Sequence, residues 1–264
     1  MKVLYVGDVM GKAGRLTLKK ILLKICLQNN VDIVIAQAEN VSHGKGMSIS
    51  HYSQLEECGV NGFTGGNHSF ERQDTINLVS NLNMPVVAPA NVLGDTYNNF
   101  KIINKNGFSV AIVSLLGYTI PGGYGNKTQN PLVCIDSLLP KIQNDFMGPI
   151  IVNFHGDVSS EKVMMGHYLD GKAAAVIGDH WHVPAADERI LSNGTAYISD
   201  VGMCGALDSS LGVDWDIAID RWKGSSAKYR MHNNLPYQFN AVLIDVDNTS
   251  NKVKSISRIR EIIQ

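Results

Sequence analysis

Lys2-Val3-Leu4-Tyr5-Val6-Gly7-Asp8 begins the chain with a strand-like apolar run, a glycine and then a carboxylate. The same order recurs downstream. From Ala13 to Gln28, the residues Leu18, Ile21, Leu22 and Ile25 fall at i, i+3, i+4 and i+7, which predicts one face of a helix. Asp32 to Gln37 is apolar and β-branched, reads as a buried strand, and runs into Ala38-Glu39-Asn40. Ser50 to Cys58 reads as a helix, Val60 to Thr64 as a strand entering Gly65-Gly66-Asn67-His68, and Gln73 to Leu82 as a helix. Pro149 to Phe154 and Ala173 to Ile177 are expected to be short buried strands around a helix from Ser159 to Leu169. Alternation of this kind implies parallel strands joined by crossover helices.

Other segments read differently. Phe100 to Asn104 and Phe108 to Leu115 flank Asn106-Gly107, and Arg189 to Leu191 and Ala196 to Ser199 flank Asn193-Gly194. Both pairs read as hairpins. Phe239 to Asp245 and Val253 to Ile259 lie either side of a polar Asn248-Thr249-Ser250-Asn251 turn. These segments suggest a second, mixed or antiparallel sheet packed on the first with helices outside. Residues 1–264 contain no Pro/Gly/Ser-rich linker, repeat or low-complexity run, so they are read as one domain.

Composition bounds the function classes. The chain has 264 residues, 44% hydrophobic and 18% charged, as in an ordinary soluble globular protein. A net charge of −1 gives no bulk attraction to nucleic acid or to an anionic membrane. The four cysteines, Cys26, Cys58, Cys134 and Cys204, form no Cys-x-x-Cys pair, a pattern that fits free thiols in a reducing cytosol. The first apolar run is too short for a signal-peptide core, and no stretch approaches the ~20 apolar residues that span a bilayer. A cytoplasmic location is expected.

The residues that carry chemistry stand where the predicted strands end. They are Asp8, Glu39, Asn40, Asn67, His155, His180 and His182. Side chains at the carboxyl ends of several strands converge on one crevice in an open α/β sheet. With His68 beside Asn67, this set suffices for two metal ions and a proton donor, which makes a hydrolase the first hypothesis. Asp8 and Glu39 supply negative charge, and without a cation two adjacent buried acids would be costly. Nitrogen and oxygen donors without thiolates favour Mn, Fe or Zn over a soft metal. On an extended segment His180 and His182 would point to opposite sides, suiting two neighbouring ions or a loop that turns between them. Taken singly, Asn67-His68 also reads as a plain turn, Asp8 as a helix-start aspartate, and the histidines as unconnected loop residues. His43 and Lys45 are candidate phosphate contacts, although their glycine-rich loop lacks the Walker spacing. His51, His167 and His232 read as structural or solvated.

The stretches Val6-Gly7-Asp8-Val9-Met10-Gly11, Glu39-Asn40-Val41-Ser42-His43-Gly44-Lys45-Gly46, Gly65-Gly66-Asn67-His68, Pro89-Ala90-Asn91, Ser160-Glu161-Lys162 and Thr195 to Met203 resemble the calcineurin-like metallophosphoesterases. More closely, they resemble the bacterial YmdB-type phosphodiesterases, and the resemblance covers nearly the whole chain. It implies a four-layer α/β/β/α sandwich, two mixed sheets flanked by helices, around a di-metal centre. It implies that Asp8, Glu39, Asn40 and His182 hold one divalent ion, and that Glu39, Asn67, His155 and His180 hold the other, with Glu39 bridging. The ions would be Fe or Mn first, with Zn or Mg as alternatives. Met10 stands where the wider superfamily has a histidine, so by the resemblance Asn40 replaces it.

The activity implied is hydrolysis of cyclic nucleotides, 2′,3′-cyclic or 3′,5′-cyclic monophosphates. A metal-bridging hydroxide would attack phosphorus and His68 would protonate the leaving alkoxide. A phosphomonoesterase or nuclease on the same site stays open, as does a regulatory metal-binding protein with little catalysis. The expected partner is a small nucleotide phosphodiester, with no membrane and no stable nucleic-acid complex; a homo-oligomer is left open. The chain departs from the family pattern at Gly156-Asp157, Asp179, Trp181, Pro184-Ala185, Cys204 and Ala206. These side chains are expected to line the mouth and tune substrate choice, with Trp181 either stacked on a base or packed under a loop.

Overall fold

A computed structural model describes residues 1–92, 97, 99–120 and 128–264. Strand β1 (Lys2–Val6) is buried on both faces, and its period of two divides the molecule into layers. Val3 and Tyr5 join an apolar cluster with Ile33, Ile35, Ile112, Ile151, Ile177 and Ile198, which lies between two sheets. Leu4 and Val6 point the other way, into a cluster with Leu18, Leu22, Tyr52, Phe63 and Leu78. Those partners come from helices α1 (Gly11–Asn29), α2 (Ile49–Glu57) and α3 (Gln73–Ser80), and from strand β4 (Gly62–Thr64).

The first sheet runs β2 (Asp8–Val9), β11 (Met203–Ala206), β12 (Tyr237–Val246), β1, β3 (Ile33–Gln37), β4, with β13 (Val253–Ile263) on the free edge of β12. Strands β1, β3 and β4 are parallel, and β12 is antiparallel to β1. The second sheet runs β5 (Lys101–Lys105), β6 (Phe108–Leu116), β7 (Ile150–His155), β8 (Ala175–Asp179), β10 (Ala196–Ile198), β9 (Arg189–Ile190). Its central strands are parallel, and β5 and β9 are antiparallel edges. A third cluster joins Val113, Leu115, Val152 and Phe154 to Ile135, Leu138 and Ile142 of α4 (Pro131–Asp145) and Met165 of α5 (Ser159–Tyr168). The order is therefore helices, sheet, sheet, helices.

The second sheet is mixed, as expected, but only two of the three hairpins belong to it. These two form its edges, while β12 and β13 join the first. The reason is burial: all but two residues of β12 are buried, so the strand needs a paired neighbour on its β1 side as well as at β13. Helix α4 covers the second sheet with Ile135, Leu138, Leu139 and Ile142 at helical spacing, a pattern the sequence reading passed over. Helix α6 (Trp215–Trp222) buries none of its residues.

Registry places the strand ends together. Val6 pairs with Ala36, and His155 pairs with Asp179. Between β1 and β2, a Cβ on Gly7 would come within 2.2 Å of the carbonyl oxygen of Gly202, so glycine is required where these backbones touch.

Candidate metal centre

All the strand-end residues singled out in the sequence meet in one connected cluster. Asp8 starts β2, Glu39 and Asn40 follow β3, Asn67 and His68 follow β4, His155 ends β7, and His180 and His182 follow β8. His155 Nε2 lies 2.7 Å from Asn67 Oδ1, 3.3 Å from Glu39 Oε1 and 3.0 Å from His180 Nδ1. Asn40 Nδ2 donates to Asp8 Oδ2 at 2.8 Å and to Glu39 Oε1 at 3.1 Å. His182 Nε2 lies 3.3 Å from Asp8 Oδ2. Glu39, His155 and His180 each offer a ligand atom within 4.8 Å of the others. Gly66 makes the close packing possible, since a Cβ there would stand 2.3 Å from Glu39 Oε2 and 2.5 Å from the His155 ring.

The donor set fits divalent cations. His155 Nδ1–H donates to Asp179 Oδ1 at 3.1 Å, which turns the Nε2 lone pair towards Asn67, Glu39 and His180. A lone pair facing an amide oxygen, a carboxylate and a second imidazole calls for a proton or a cation between them. Asp8 Oδ1 and His182 Nδ1 are buried without a hydrogen-bond partner. Asn40 presents its NH₂ to the carboxylates; holding a cation through Oδ1 would require the amide turned over, an exchange of nearly isosteric orientations.

The protonation preferences tell the same story. Burial opposes charge on His155, but Glu39 and Asp179 prevail and push it up to about 9. His182 is likewise opposed by burial and raised to about 9 by Asp8 and Glu39. Burial and the His155 charge lower His180 to about 3, which keeps its ring neutral. Glu39 is raised, chiefly by burial. The cluster thus gathers positive charge from protons when no metal supplies it.

His180 and His182 do not sit on an extended segment. Their φ angles are 107° and 63°, left-handed values that side chains rarely adopt, so the loop turns sharply between them. Trp181 holds that turn. Its N–H donates to Asp200 Oδ2 at 2.8 Å, its indole Nε1 donates to the Asp157 carbonyl at 2.7 Å, and Lys162 Nζ stands 3.8 Å from its ring centroid. Lys162 pairs with Asp200 at 2.7 Å and donates to the Asp179 carbonyl at 2.7 Å. Burial raises the Asp200 carboxyl even beside this ammonium, which marks the pair as a positioning device rather than a net source of stability.

Most of the departures expected at the mouth therefore lie elsewhere. Asp179 is fully buried behind His155, Cys204 and Ala206 are buried in β11, and Trp181 is packed under its loop. Asp157 has an exposed side chain, 3.6 Å from His180 Nε2. Sequence reading did not single out Lys162, Asp200 or Glu71 for any role in the site. Their polar character is visible in the chain, but their partners lie on other elements.

The mouth belongs to His68 and the segments around it. His68 N–H donates to Glu39 Oε2 at 2.9 Å, and its Nδ1 lies 2.5 Å from Glu71 Oε1. Glu71 also pairs with Lys45 at 2.8 Å; burial is the largest single influence and opposes charge on its carboxyl, but Lys45 and His68 together outweigh it and hold the carboxyl below the usual range. The His68 side chain keeps 32% exposure. A cavity of about 470 Å³ opens over Glu39, His68, His180 and His182, and its lining also includes Leu211, Trp222 and Tyr229.

A family model described as YmdB-like protein matches residues 4–259. The chain belongs to the YmdB-like family. A Bacillus subtilis (strain 168) protein named 2′,3′-cyclic-nucleotide 2′-phosphodiesterase is 34% identical over 275 residues, covering 98% of this chain and 96% of that one. The crystal structure of a novel phosphatase from Mycoplasma pneumoniae superposes with a TM-score of 0.89 at 34% identity, covering 99% of this chain and 93% of the other. A hypothetical protein from Thermus thermophilus superposes with a TM-score of 0.89 at 30% identity over 100% of both chains. As a YmdB-like protein, the chain is a metal-dependent phosphoesterase; the family implies divalent ions, and Glu39, His155 and His180 form a group whose ligand atoms are close enough to hold one. Among the described residues, no helix is long and apolar enough to cross a membrane.

Proposed function

We propose that the chain hydrolyses the phosphodiester bond of cyclic nucleotides, 2′,3′-cyclic or 3′,5′-cyclic monophosphates, with two divalent ions in the cluster. Asp8, Glu39, Asn40 and His182 would hold one ion, and Glu39, Asn67, His155 and His180 the other. Bound there, the ions supply Lewis acidity to the phosphoryl oxygens and an activated nucleophile at neutral pH. Asp179 fixes the His155 tautomer, so that Nε2 is the nitrogen offered to the cluster. Lys162, Asp200 and Trp181 hold His180 and His182 in their strained turn.

The observation that carries the reading is the position of His68. Its backbone is tied to Glu39, yet its imidazole stands at the mouth, outside the buried ligands. With Nδ1 held by Glu71, Nε2 is the atom left to carry a proton to a leaving alkoxide. A diester with an alkoxide leaving group needs that proton, because the unprotonated alkoxide is hard to expel. Iron or manganese is the proposed metal, on the nitrogen and oxygen donor set.

The test is a substrate panel on metal-replete protein: a phosphomonoester, a linear dinucleotide and a cyclic nucleotide. The proposal expects the highest kcat/KM for the cyclic diester. A preference for the monoester or the linear strand would overturn it.

A further inference from the structure

The segment 210–232 is built as a rim over the metal cluster. Ser210 and Val213 bridge to each other, and Val213 bridges to Met231. Asp214 gathers the base of the segment, with His232 Nδ1 at 2.6 Å and Arg230 paired to the same carboxylate. Met231 lies against Gly11 and Gly44, beside the loop that follows Asn40. Helix α6 stands on this base with no buried residue. Trp222 at its end is 96% exposed, Tyr229 65% and Leu211 46%. All three line the same cavity as His68, His180 and His182. Arg221 completes the wall: its guanidinium lies 4.2 Å from the Tyr229 ring centroid and donates to the Ala227 carbonyl at 2.7 Å.

Apolar surface gathered in the same concave space as the metal cluster calls for an occupant. The cavity volume of about 470 Å³ is within the range that holds a nucleotide. The one lining combines the candidate metal ligands Glu39, Asn40, His180 and His182 with the planar rings of Trp222 and Tyr229, the Arg221 guanidinium, and the polar side chains of His43 and Lys45. A phosphate at the cluster would leave a planar base at the aromatic wall.

We infer that Trp222 and Tyr229, with Arg221 behind, form the subsite that stacks the nucleobase of the substrate. The inference rests on the cyclic-nucleotide reading for the identity of the ligand. Stacking on an aromatic face accepts any base, so the subsite sets affinity for nucleotides over base-free phosphates rather than choosing one base. It takes the role that the sequence had offered to Trp181, which is packed beneath its loop.

The test compares adenosine 2′,3′-cyclic phosphate with the base-free 2′,3′-cyclic phosphate of methyl ribofuranoside, both with metal-replete protein. Trp222→Leu is expected to raise KM for the adenosine substrate roughly 5- to 100-fold, the range of one lost base stack, and to leave kcat within about twofold. KM for the base-free substrate should not move. Trp215→Phe, outside the cavity wall, is the control expected to behave as the unmodified protein. Equal KM changes on both substrates, or none, would overturn the subsite. So would self-association that Trp222→Leu abolishes while KM stays the same. A binding readout separates this inference from the hydrolysis reading. Adenosine monophosphate should quench a fluorescence component present in Trp215→Phe protein and absent when Trp222→Leu is added. If neither cyclic substrate turns over yet that quench occurs, the subsite stands and the hydrolysis reading falls. Turnover of both substrates without the quench overturns the subsite alone.

Discussion

The imidazole of His155 and the carboxylate of Asp179 face each other 3.1 Å apart, and both side chains are wholly buried. Adjacent parallel strands place them in register. A carboxylate behind a metal-binding histidine fixes its tautomer and raises its basicity. Asp179→Asn keeps the shape and removes the charge. The expected outcome is a loss of roughly 10- to 100-fold in divalent-ion affinity, read by calorimetric titration of metal-free protein. Unchanged affinity would show that Asp179 serves packing alone.

His68 stands outside the proposed ligand set, so His68→Ala should retain its metal content. Turnover of a cyclic nucleotide is expected to fall roughly 10²- to 10⁴-fold. A diester with a nitrophenolate leaving group, which departs without help, should suffer much less. Equal losses on both substrates would remove His68 from the proton-donor role. Glu71→Gln, which takes away the charge beside His68 Nδ1, should show a smaller loss with the same dependence on the leaving group.

Lys162 and Asp200 are both fully buried, so solvent does not screen them. Lys162→Met leaves the Asp200 carboxylate without its cation. Removing one partner of a buried pair costs about 3–5 kcal/mol, and denaturant unfolding should register a loss of that size. Because Asp200 also anchors Trp181, the variant should bind metal more weakly than its remaining stability alone explains. A change below about 1 kcal/mol would mean that the neighbourhood relaxes around the loss.

Much of this site was legible in the sequence because the fold repeats one rule. A buried strand ends, the chain turns, and the next polar residue faces the crevice; Asp8, Glu39 and Asn67 follow it, and His155 varies it as the last residue of its own strand. The packed sheets were legible too, through the alternation of strand and helix segments and the hairpin pattern of the remainder, and the four layers through the family resemblance. What stayed hidden depends on contacts between distant segments. Asp179 read as a mouth residue because it adjoins His180, but β8 extends through it and buries it against β7. Trp181 stayed open between stacking on a base and packing under a loop, because nothing nearby in sequence announces Lys162 or Asp200. The α6 wall was passed over because its residues contact the cavity and not the core, which leaves no burial pattern to follow.

Metal binding should release protons. In the metal-free cluster His155 and His182 are raised to about 9, so both carry a proton at pH 7. An entering cation takes the same lone pairs and displaces those protons. Binding is therefore expected to strengthen as pH rises from 6 towards about 9 and to level off above it. The calorimetric heat at pH 7 should depend on the ionisation enthalpy of the buffer. Heat independent of buffer would mean that the histidines are already neutral in the metal-free protein.

The central claim is that Glu39 lies between two ions held by strand-end ligands. Anomalous diffraction from crystals of metal-replete protein tests it most directly. The account predicts two peaks roughly 3.5–4 Å apart, one towards Asp8, Asn40 and His182, the other towards Asn67, His155 and His180, with the Glu39 carboxylate between them. A single peak, or a pair of ions away from Glu39, would contradict it.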